Sequence, residues 1–514
     1  MNGAQSLIQT LSNCGVDLCF GNPGTSEMHF VASLDATPAM RSVLCLFEGV
    51  ATGAADGYGR MAGKPAAVLL HLGPGLANGL ANLHNARRAS TPIVNVVGDH
   101  ATYHLQYDAP LTSDIVGFAR PVSSWICESK SARAVAADAA RAVQAARAAP
   151  GGIATLILPA DTAWEAASHA VGPLPVQGPA PVATEAVDSV AALLRNGKRS
   201  ALLLRGRALR GAGLEAAGRI AARTGARLLS DTFAPHGELG AGRVPVERLP
   251  YFAEQIVDAI AKVEQLVLVG SKPPVSFFAY PGKRSWCTPD GCTITQLAHE
   301  HEDGVAALES LDAALGGAAP TVMRVPLALP DLPKGALTPL AVAQAIAHLT
   351  PEHAIIADES ATSGFPLAMM MVRARPHDHL ALTGGSIGLG LPLALGASLA
   401  CPDRKVVCPH GDGGAAYTMQ ALWSMARERT DTTVVVYANR SYAILNIELA
   451  RVGAGAAGPK ALAMLDLHNP EMNWTKIAEG LGVEASRATT AEEFNAQYAS
   501  AMTTRGPRLI EAMI

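Results

Sequence analysis

The stretch from Val406 to Asn439 reads VVCPHGDGGAAYTMQALWSMARERTDTTVVVYAN, two apolar runs separated by a glycine-rich turn and a helical segment. This alternation predicts two neighbouring strands of a parallel sheet joined by a helix. The carboxyl ends of such strands meet at one edge of the sheet, where ligands bind. Asp412 follows the first run and Asn439 ends the second, so we expect their side chains to converge.

These side chains are suited to a metal ion and a phosphate. The carboxylate of Asp412, the amide oxygen of Asn439 and the carbonyl of Ser441 form a hard-oxygen set of the kind that binds Mg²⁺ or Ca²⁺. At the start of a helix, backbone N–H groups without side chains beside them bind phosphate, and here they belong to Gly411, Gly413 and Gly414. Metal and phosphate together predict a diphosphate ligand. An ordinary turn with an aspartate cap is the alternative reading of the motif alone.

The same alternation continues along the chain. Strand-sized apolar runs such as Ile153–Leu158 alternate with Ala-rich helical stretches such as Ala132–Ala148. Two proline-rich joints interrupt the pattern, and proline favours extended links. The chain is therefore predicted to be α/β, with three tandem doubly wound parallel-sheet domains at residues 1–165, 183–325 and 338–514.

Composition narrows the class of protein. Of the 514 residues, 49% are apolar and only 16% are charged, against roughly 25% in a typical soluble chain, which excludes a disordered chain or a coiled coil. The net charge is −4 without basic runs, so we expect no nucleic-acid or membrane partner. No signal peptide is evident, and eight scattered cysteines are typical of reduced thiols. We therefore expect a cytoplasmic protein.

The spacing around Asp412 resembles a known family. Gly-Asp-Gly, then 25 residues, then Asn439 is similar to the signature of enzymes that depend on thiamine diphosphate (ThDP). Ala438 departs from the usual double asparagine, but the asparagine that binds metal in the family is retained. The resemblance implies that ThDP and Mg²⁺ are cofactors, with Asp412, Asn439 and Ser441 as metal ligands and Tyr442 beside the cofactor.

Further motifs resemble the family in the same order along the chain. FGNPGT at residues 20–25 is similar to a cofactor-contacting turn, which implies roles for Asn22, Pro23 and Gly24. The motif around Glu48 resembles the one whose glutamate bonds the aminopyrimidine ring of ThDP and drives deprotonation of thiazolium C2. That role requires a poised carboxylate.

Two more motifs resemble the family in the C-terminal third. GGSIG at residues 384–388 places Ile387 where the family has a bulky residue under the bent cofactor, with Gly385 beside it. ESAT at residues 359–362 resembles a diphosphate-contacting loop, in which Thr362 is the expected donor. The resemblance implies that residues 1–165 bind the pyrimidine, 338–514 bind the diphosphate, and 183–325 form a middle domain. Because family active sites lie between subunits, it also implies at least a homodimer, and usually a homotetramer.

The motifs specify the reaction less clearly than they specify the cofactor. His71 stands where benzoylformate decarboxylase-like enzymes carry a catalytic histidine, although Phe277–Tyr280 stands where they carry a second one. Residues 108–117 resemble acetolactate synthase instead, but Pro110, Leu111 and Thr112 replace its polar residues. Arg205-Gly206-Arg207 either meets a nucleotide phosphate or forms structural ion pairs, and FAD binding is left open.

The motifs together predict a ThDP- and Mg²⁺-dependent enzyme with Glu48 and His71 as catalytic residues. It would decarboxylate a 2-oxoacid through an enamine at C2 of the cofactor and have carboligase capacity. An acetolactate synthase-type transferase is the main alternative. A dinucleotide-dependent oxidoreductase is disfavoured because no Gly-x-Gly-x-x-Gly motif follows an N-terminal strand.

Overall fold

Three sheets follow one another along the chain in the computed structural model, which describes residues 1–455 and 457–514. Their strand orders are β2-β1-β3-β4-β6-β5, β10-β8-β7-β11-β12 and β17-β18-β16-β15-β13-β14-β9. The strands are β1 Leu18–Gly21, β2 Arg41–Leu44, β3 Ala66–Leu70, β4 Ile93–Asp99, β5 Trp125–Glu128, β6 Ile153–Pro159, β7 Ser200–Leu204, β8 Arg227–Ser230, β9 Gly237–Leu239, β10 Glu247–Arg248, β11 Gln265–Val269, β12 Thr293–Ala298, β13 Ile355–Asp358, β14 His377–Ala381, β15 Val406–Gly411, β16 Thr432–Ala438, β17 Glu484–Ala488 and β18 Arg508–Met513.

Helices connect most of these strands. They are α1 Gly3–Asn13, α2 Met28–Leu34, α3 Glu48–Ala62, α4 Leu72–Ala89, α5 Ile115–Ala119, α6 Val135–Arg147, α7 Ala160–Trp164, α8 Thr184–Leu194, α9 Gly211–Thr224, α10 Ala253–Ile260, α11 Gly304–Leu315, α12 Pro339–Leu349, α13 Phe365–Met371, α14 Gly390–Ala400, α15 Asp412–Ala415, α16 Ala421–Glu428, α17 Ala443–Arg451, α18 Pro459–Ala463, α19 Trp474–Gly480 and α20 Ala491–Thr503. The predicted fold class of α/β sheets in tandem is confirmed.

The strands β15 and β16 pair in parallel, as the opening stretch predicts. Val406 lies opposite Thr432, and Gly411 lies opposite Tyr437. Both strands are almost wholly buried, because helices cover the sheet on both faces. Their carboxyl ends therefore reach the same edge of the sheet, with Asp412 after β15 and Asn439 after β16.

The third sheet differs from the prediction at one edge. Strand β9 comes from the middle of the chain and pairs with β14 in antiparallel fashion, with Gly237 opposite His379. An antiparallel edge strand needs no helical crossover, so a distant segment can add to the sheet. Local alternation of strands and helices carries no signal for such a pairing. The domain boundaries themselves stay a prediction.

Helices α3 and α14 join the first and third sheets through close backbone contact. Side chains of α3 are buried from Glu48 to Arg60, and α14 is buried along most of its length. A Cβ on Gly396 would overlap the carbonyl oxygen of Ala54, and one on Gly57 would overlap the carbonyl of Leu393. Glycine at these positions therefore lets the two helices touch, which fixes Glu48 at the start of α3 relative to the third sheet.

We expect Gly396→Ala to destabilise the protein by about 1–3 kcal/mol, because the new methyl group must force α3 and α14 apart. Gly480→Ala is the matched control: this glycine also lies in a helix, but a Cβ there meets nothing within 4 Å. Denaturant midpoints, measured at one protein concentration, should fall for Gly396→Ala and stay level or rise for Gly480→Ala. Equal midpoints for wild type and Gly396→Ala would contradict the close packing.

Five of the eight cysteines are buried. All eight cysteines lie in the described residues and none is in a disulfide. Burial raises the pKa of the Cys19 and Cys45 thiols to about 12, so neither is a thiolate at neutral pH. No helix within residues 1–455 and 457–514 is both long and apolar enough to span a bilayer.

Candidate active site

The edge of the third sheet brings Asp412 against the turn after β16. The Asp412 carboxylate is 3% exposed, and its Oδ2 accepts a hydrogen bond from the backbone N–H of Arg440 at 2.6 Å. Its Oδ1 accepts from Gly413 N at 2.8 Å. The Oδ1 of Asn439 accepts from Ser441 N at 3.1 Å. The predicted convergence of Asp412 with the 439–441 turn is therefore present.

This oxygen set fits a hard divalent cation. Burial raises the pKa of the Asp412 carboxyl, and backbone hydrogen bonds offset only part of that effect, so a nearby cation would stabilise its charged form. Among the residues the structure describes, no three His, Cys, Asp or Glu side chains form a metal-binding group. A metal at this edge would thus be held by one carboxylate with amide and carbonyl oxygens, which is a donor set typical of Mg²⁺ and not of Zn²⁺.

Gly413 and Gly414, which follow β15, are packed closely against neighbouring side chains. A Cβ on Gly413 would overlap the ring of Tyr442, and one on Gly414 would lie 2.8 Å from Oε1 of Glu359. Gly411 is more open, with its nearest neighbour 3.9 Å from an added Cβ. Of the glycine N–H groups here, Gly411 N donates to the Glu359 carbonyl at 3.0 Å and Gly413 N donates to Asp412 Oδ1 at 2.8 Å, so both are used within the chain.

Glu359 and His410 have structural roles that the sequence did not reveal. The Glu359 carboxylate accepts hydrogen bonds from the N–H groups of Gly388, Leu389 and Gly390 at 2.6, 2.7 and 2.6 Å. It thereby caps α14. His410 is fully buried, with Nε2 at 3.5 Å from Glu359 Oε2. His410 therefore lies beneath the candidate site as a partner of Glu359.

The loop with Ile387 is fastened to α4. Oδ1 of Asn85 accepts from the N–H groups of Gly384 and Ser386, and its Nδ2 donates to the Ser386 carbonyl at 2.8 Å. Asn82 donates to the Gly388 carbonyl at 3.4 Å. Ile387 itself is half-buried in this loop. The loop is thus held in one conformation by α4 of the same chain.

The segment at 277–280 is partly buried and partly exposed. Tyr280 is buried, whereas Phe277 and Phe278 are 42% and 52% exposed. Gly385 has a φ of +74°, and a Cβ there would lie 2.6 Å from the Phe277 ring. Phe277 therefore borders the Ile387 loop, and Thr362 is half-buried in the turn before α13.

Glu48 and His71 flank the same glycine at the opening of the first sheet. Glu48 is the first residue of α3 and is 7% exposed, and its Oε2 accepts from Asn78 Nδ2 at 3.0 Å. A Cβ on Gly75 would lie 3.2 Å from Glu48 Oε1 and 3.4 Å from His71 Cβ. The structure thus brings the two predicted catalytic side chains together.

His71 is held by a buried carboxylate, Glu27, that sequence reasoning missed. Nδ1 of His71 lies 2.7 Å from Glu27 Oε2, and Glu27 also accepts from Gly24 N at 2.8 Å. A Cβ on Gly24 would overlap the His71 ring, and Asn22 and Pro23 lie half-buried in the same turn. Glu27 gives no distinct signal in the sequence because an acidic residue in the first turn of a helix is common.

We expect His71→Ala to lower kcat by about 100-fold or more, since a positioned general acid or base contributes roughly 10²–10⁴-fold. The affinity for the cofactor should stay within a few-fold of wild type, because the contact that the imidazole makes in the structure is with Glu27 of the protein itself. His29→Ala, which changes an exposed histidine of α2, is the control. Steady-state rates and calorimetric cofactor titrations separate the two effects, and an unchanged kcat in His71→Ala would rule out proton transfer by this residue.

Arg205 forms a structural ion pair, which is one of the two roles that the sequence suggested for it. Its Nη1 lies 2.5 Å from Asp231 Oδ2. The residue borders a cavity of about 610 Å³ at the carboxyl ends of the middle strands, which Arg60 and His236 also line. Nδ1 of His236 lies 2.7 Å from Nη1 of Arg210. Nη2 of Arg205 also donates to the Arg88 carbonyl, so this residue links the middle segment to α4.

Comparisons with known proteins agree with this arrangement. Residues 1–117 match the family described as thiamine pyrophosphate enzyme, N-terminal TPP binding domain, and residues 363–512 match the corresponding C-terminal TPP binding domain. Thiamine pyrophosphate is another name for ThDP. The two matches contain Glu48 and His71 on one side and Asp412 and Asn439 on the other.

Relatives cover the whole chain. A Mycobacterium tuberculosis protein named "Putative acetolactate synthase large subunit IlvX" is 54% identical over 517 residues, covering 100% of this chain and 99% of the relative. Benzoylformate decarboxylase of Pseudomonas aeruginosa is 29% identical over 533 residues, covering 98% and 97%. The crystal structure of benzoylformate decarboxylase from Polynucleobacter necessarius superposes with a TM-score of 0.85 at 22% identity, covering 100% and 99%. The chain therefore belongs to the thiamine pyrophosphate enzymes, among relatives named as acetolactate synthases and benzoylformate decarboxylases.

Proposed function

We propose that this protein is a ThDP- and Mg²⁺-dependent decarboxylase of a 2-oxoacid, with the capacity to join the product to a second carbonyl compound. The family assignment supports the cofactor, and the oxygen set at Asp412 supports the metal. The proton-handling pair of His71 and Glu27 favours decarboxylation to an aldehyde.

The residues at the edge of the third sheet would hold the diphosphate end of the cofactor. Asp412, Asn439 and Ser441 would supply oxygens for Mg²⁺, and the diphosphate would lie beside the turn of Gly411 to Gly414 and Tyr442. Thr362 would donate to the diphosphate, and Ile387 would support the cofactor from its fixed loop. When bound, ThDP supplies the electron sink that accepts the electron pair left by departing CO₂.

Glu48 would bind the aminopyrimidine end and move its proton. The carboxylate is buried and has one hydrogen bond, from Asn78, so at least one oxygen is free to accept from a ligand. Gly75 leaves open the space beside Oε1. A carboxylate held in this way has a low reorganisation cost when it accepts or returns a proton.

The contact between His71 and Glu27 is the observation on which we base the choice of decarboxylation over carboligation. Because Nδ1 faces the Glu27 carboxylate at 2.7 Å, Nδ1 carries the proton and Nε2 is the nitrogen free to exchange protons with a substrate. Release of an aldehyde requires protonation of the carbon that loses CO₂. A histidine on the Glu48 side of the site can supply that proton, whereas joining of two substrates does not require it.

An acetolactate synthase-type transferase is the second candidate, because the relative with 54% identity bears an acetolactate synthase name. The segment at 108–117 resembles such synthases, yet Pro110 and Leu111 are exposed there and carry no polar group. We therefore place decarboxylation first and retain carboligation as a capacity.

Product analysis tests the choice directly. The purified protein with ThDP and Mg²⁺ is incubated with pyruvate, a branched 2-oxoacid or an aryl 2-oxoacid, and aldehyde and acyloin are quantified together. We expect aldehyde in excess from at least one substrate, and a much smaller share of aldehyde in His71→Ala. Acetolactate from pyruvate without accumulation of aldehyde would instead establish the transferase.

The assembly is part of the proposal. The N-terminal third of the chain would bind the pyrimidine and the C-terminal third the diphosphate, with the middle third between them. We infer at least a homodimer, since Leu46, directly before the catalytic segment, and Tyr103, Tyr107 and Phe118 expose large apolar surfaces on the first α/β unit. Apolar surface of this kind is typical of protein contacts.

A further inference from the structure

Three asparagines, Asn78, Asn82 and Asn85, lie along one face of α4, because their spacing matches successive turns of the helix. Asparagine is less favourable than alanine inside a helix, since its side chain competes for backbone hydrogen bonds. Asn82 and Asn85 are nevertheless only 3% and 0% exposed. Buried amides need hydrogen-bond partners, and most of the partners here belong to other segments of the candidate site.

Asn85 uses every hydrogen-bonding position of its side chain. Its Oδ1 accepts from the N–H groups of Gly384 and Ser386 at 3.1 and 3.2 Å. Its Nδ2 donates to the Ser386 carbonyl at 2.8 Å and to Oδ1 of Asn82 at 3.0 Å. Both lone pairs of the oxygen and both hydrogens of the nitrogen are thus used within the chain. The side chain of Asn85 therefore fixes the backbone of the loop and has no position left for a ligand.

Asn82 connects the same loop to the start of α3. Its Nδ2 donates to the carbonyl of Gly49 at 2.8 Å and to the carbonyl of Gly388 at 3.4 Å. Gly49 directly follows Glu48, and Gly388 directly follows Ile387. One face of α4 therefore contacts both of the segments that are expected to bind the cofactor.

The backbone of the loop is bound at alternate residues. The N–H groups of residues 384, 386 and 388 all donate to buried side chains. The N–H and carbonyl groups of Gly385 and Ile387, by contrast, have no hydrogen-bond partner in the part of the chain that the structure describes. Both residues are half-buried, so a ligand can reach them. Asn85 thus helps to fix the loop while Gly385 and Ile387 stay available to a cofactor.

We propose that Asn82 and Asn85 are positioning residues, an asparagine clamp that holds the Ile387 loop in a fixed place relative to Glu48 before the cofactor binds. This inference rests on the proposed binding of ThDP, because the roles of Ile387 and Glu48 come from that proposal. A loop that is already ordered binds its ligand more tightly, since no entropy is lost in ordering it at the moment of binding. The clamp touches no reacting atom and acts through the segments that it holds.

Hydrogen–deuterium exchange of the full chain without ThDP tests the clamp directly. In Asn85→Ala, the N–H groups of Gly384 and Ser386 lose their acceptor and should exchange at least about tenfold faster than in wild type. The N–H groups of residues 388, 389 and 390 donate to Glu359, so they should remain protected. Mass spectrometry that resolves single amides in residues 383–390 compares both groups in one sample.

Calorimetric titration with ThDP in the presence of Mg²⁺ tests the consequence for binding. Asn85→Ala should bind ThDP about 10–100-fold more weakly than wild type, because its loop must be ordered at the moment of binding. Asn82→Ala should also weaken the binding of ThDP. The N–H groups of Gly384 and Ser386 should remain protected in Asn82→Ala, however, because Asn85 still accepts from them.

Asn95→Ala is the matched control, because Asn95 is 0% exposed in β4 and donates to Thr155 at 3.1 Å. It should lower the thermal midpoint, as loss of a buried hydrogen bond does, without changing exchange in the loop or the affinity for ThDP. Unchanged exchange at Gly384 and Ser386 in Asn85→Ala, or unchanged affinity for ThDP, would each overturn the inference. Faster exchange along the whole chain would also overturn it, because Asn85 would then stabilise the fold in general.

The failure of the proposed function looks different. If exchange and affinity respond to Asn85→Ala as expected, but the wild-type holoenzyme releases no CO₂ from any 2-oxoacid, then decarboxylation is wrong and the positioning role stands. If the wild type releases CO₂, but Asn85→Ala binds ThDP as tightly as the wild type does, then decarboxylation is supported and the positioning role is refuted.

Discussion

Glu48→Gln should lower kcat by about 10²–10⁴-fold while ThDP remains bound, because a neutral amide cannot take up the proton that the carboxylate accepts. The amide has nearly the same shape, so the hydrogen bond from Asn78 and the packing of α3 have no reason to change substantially. Steady-state rates with a 2-oxoacid give kcat, and calorimetric titration with ThDP in the presence of Mg²⁺ gives the affinity.

The control for Glu48→Gln is Glu309→Gln, which makes the same chemical change at an exposed position of α11. That variant should match wild type in both measurements. Full activity in Glu48→Gln would exclude Glu48 from proton transfer, and loss of ThDP binding with it would instead make Glu48 an anchoring residue.

Asp412→Asn should weaken binding of Mg²⁺, and of ThDP with it, by more than about 100-fold. Residues that only support metal ligands typically cost 10–100-fold when changed, so a direct carboxylate ligand should cost more. Asp403→Asn, an exposed aspartate before β15, is the control. Calorimetric titrations of ThDP at several Mg²⁺ concentrations give both affinities.

The pH dependence of Asp412→Asn provides a second readout. Burial raises the pKa of Asp412, and a metal binds the deprotonated form, so Mg²⁺ affinity of wild type should fall as pH drops through that raised pKa. Without metal, the folded state binds this proton more tightly than the unfolded chain. The contribution of Asp412 to the free energy of unfolding therefore falls as pH rises from the pKa of this carboxyl in the unfolded chain to its raised pKa in the folded protein. Asp412→Asn should lack both effects, and an unchanged Mg²⁺ affinity would exclude Asp412 as a ligand.

Much of the third sheet and its edge could be predicted from local sequence. Apolar runs of strand length, with Asp412 and Asn439 after them, determine which side chains meet, because parallel strands share one carboxyl edge. Likewise, Thr338 caps α12 and Pro339 begins it, as a threonine-proline pair favours. These features depend on neighbours in the chain.

The remaining features depend on contacts between distant segments. In the sequence, Glu359 is one polar residue among several in a loop. Its role as the cap of α14 becomes apparent only in the fold, where the end of β13 lies beside the start of α14. The same holds for Glu27, which meets His71 across 44 positions.

The most direct measurement is CO₂ release by the purified protein from pyruvate, branched and aryl 2-oxoacids, with and without ThDP and Mg²⁺. We expect release from at least one of these acids only when both cofactors are present, with aldehyde formed in near-equal amount. No release from any of the acids, with both cofactors bound, would contradict 2-oxoacid decarboxylation as the function of this protein.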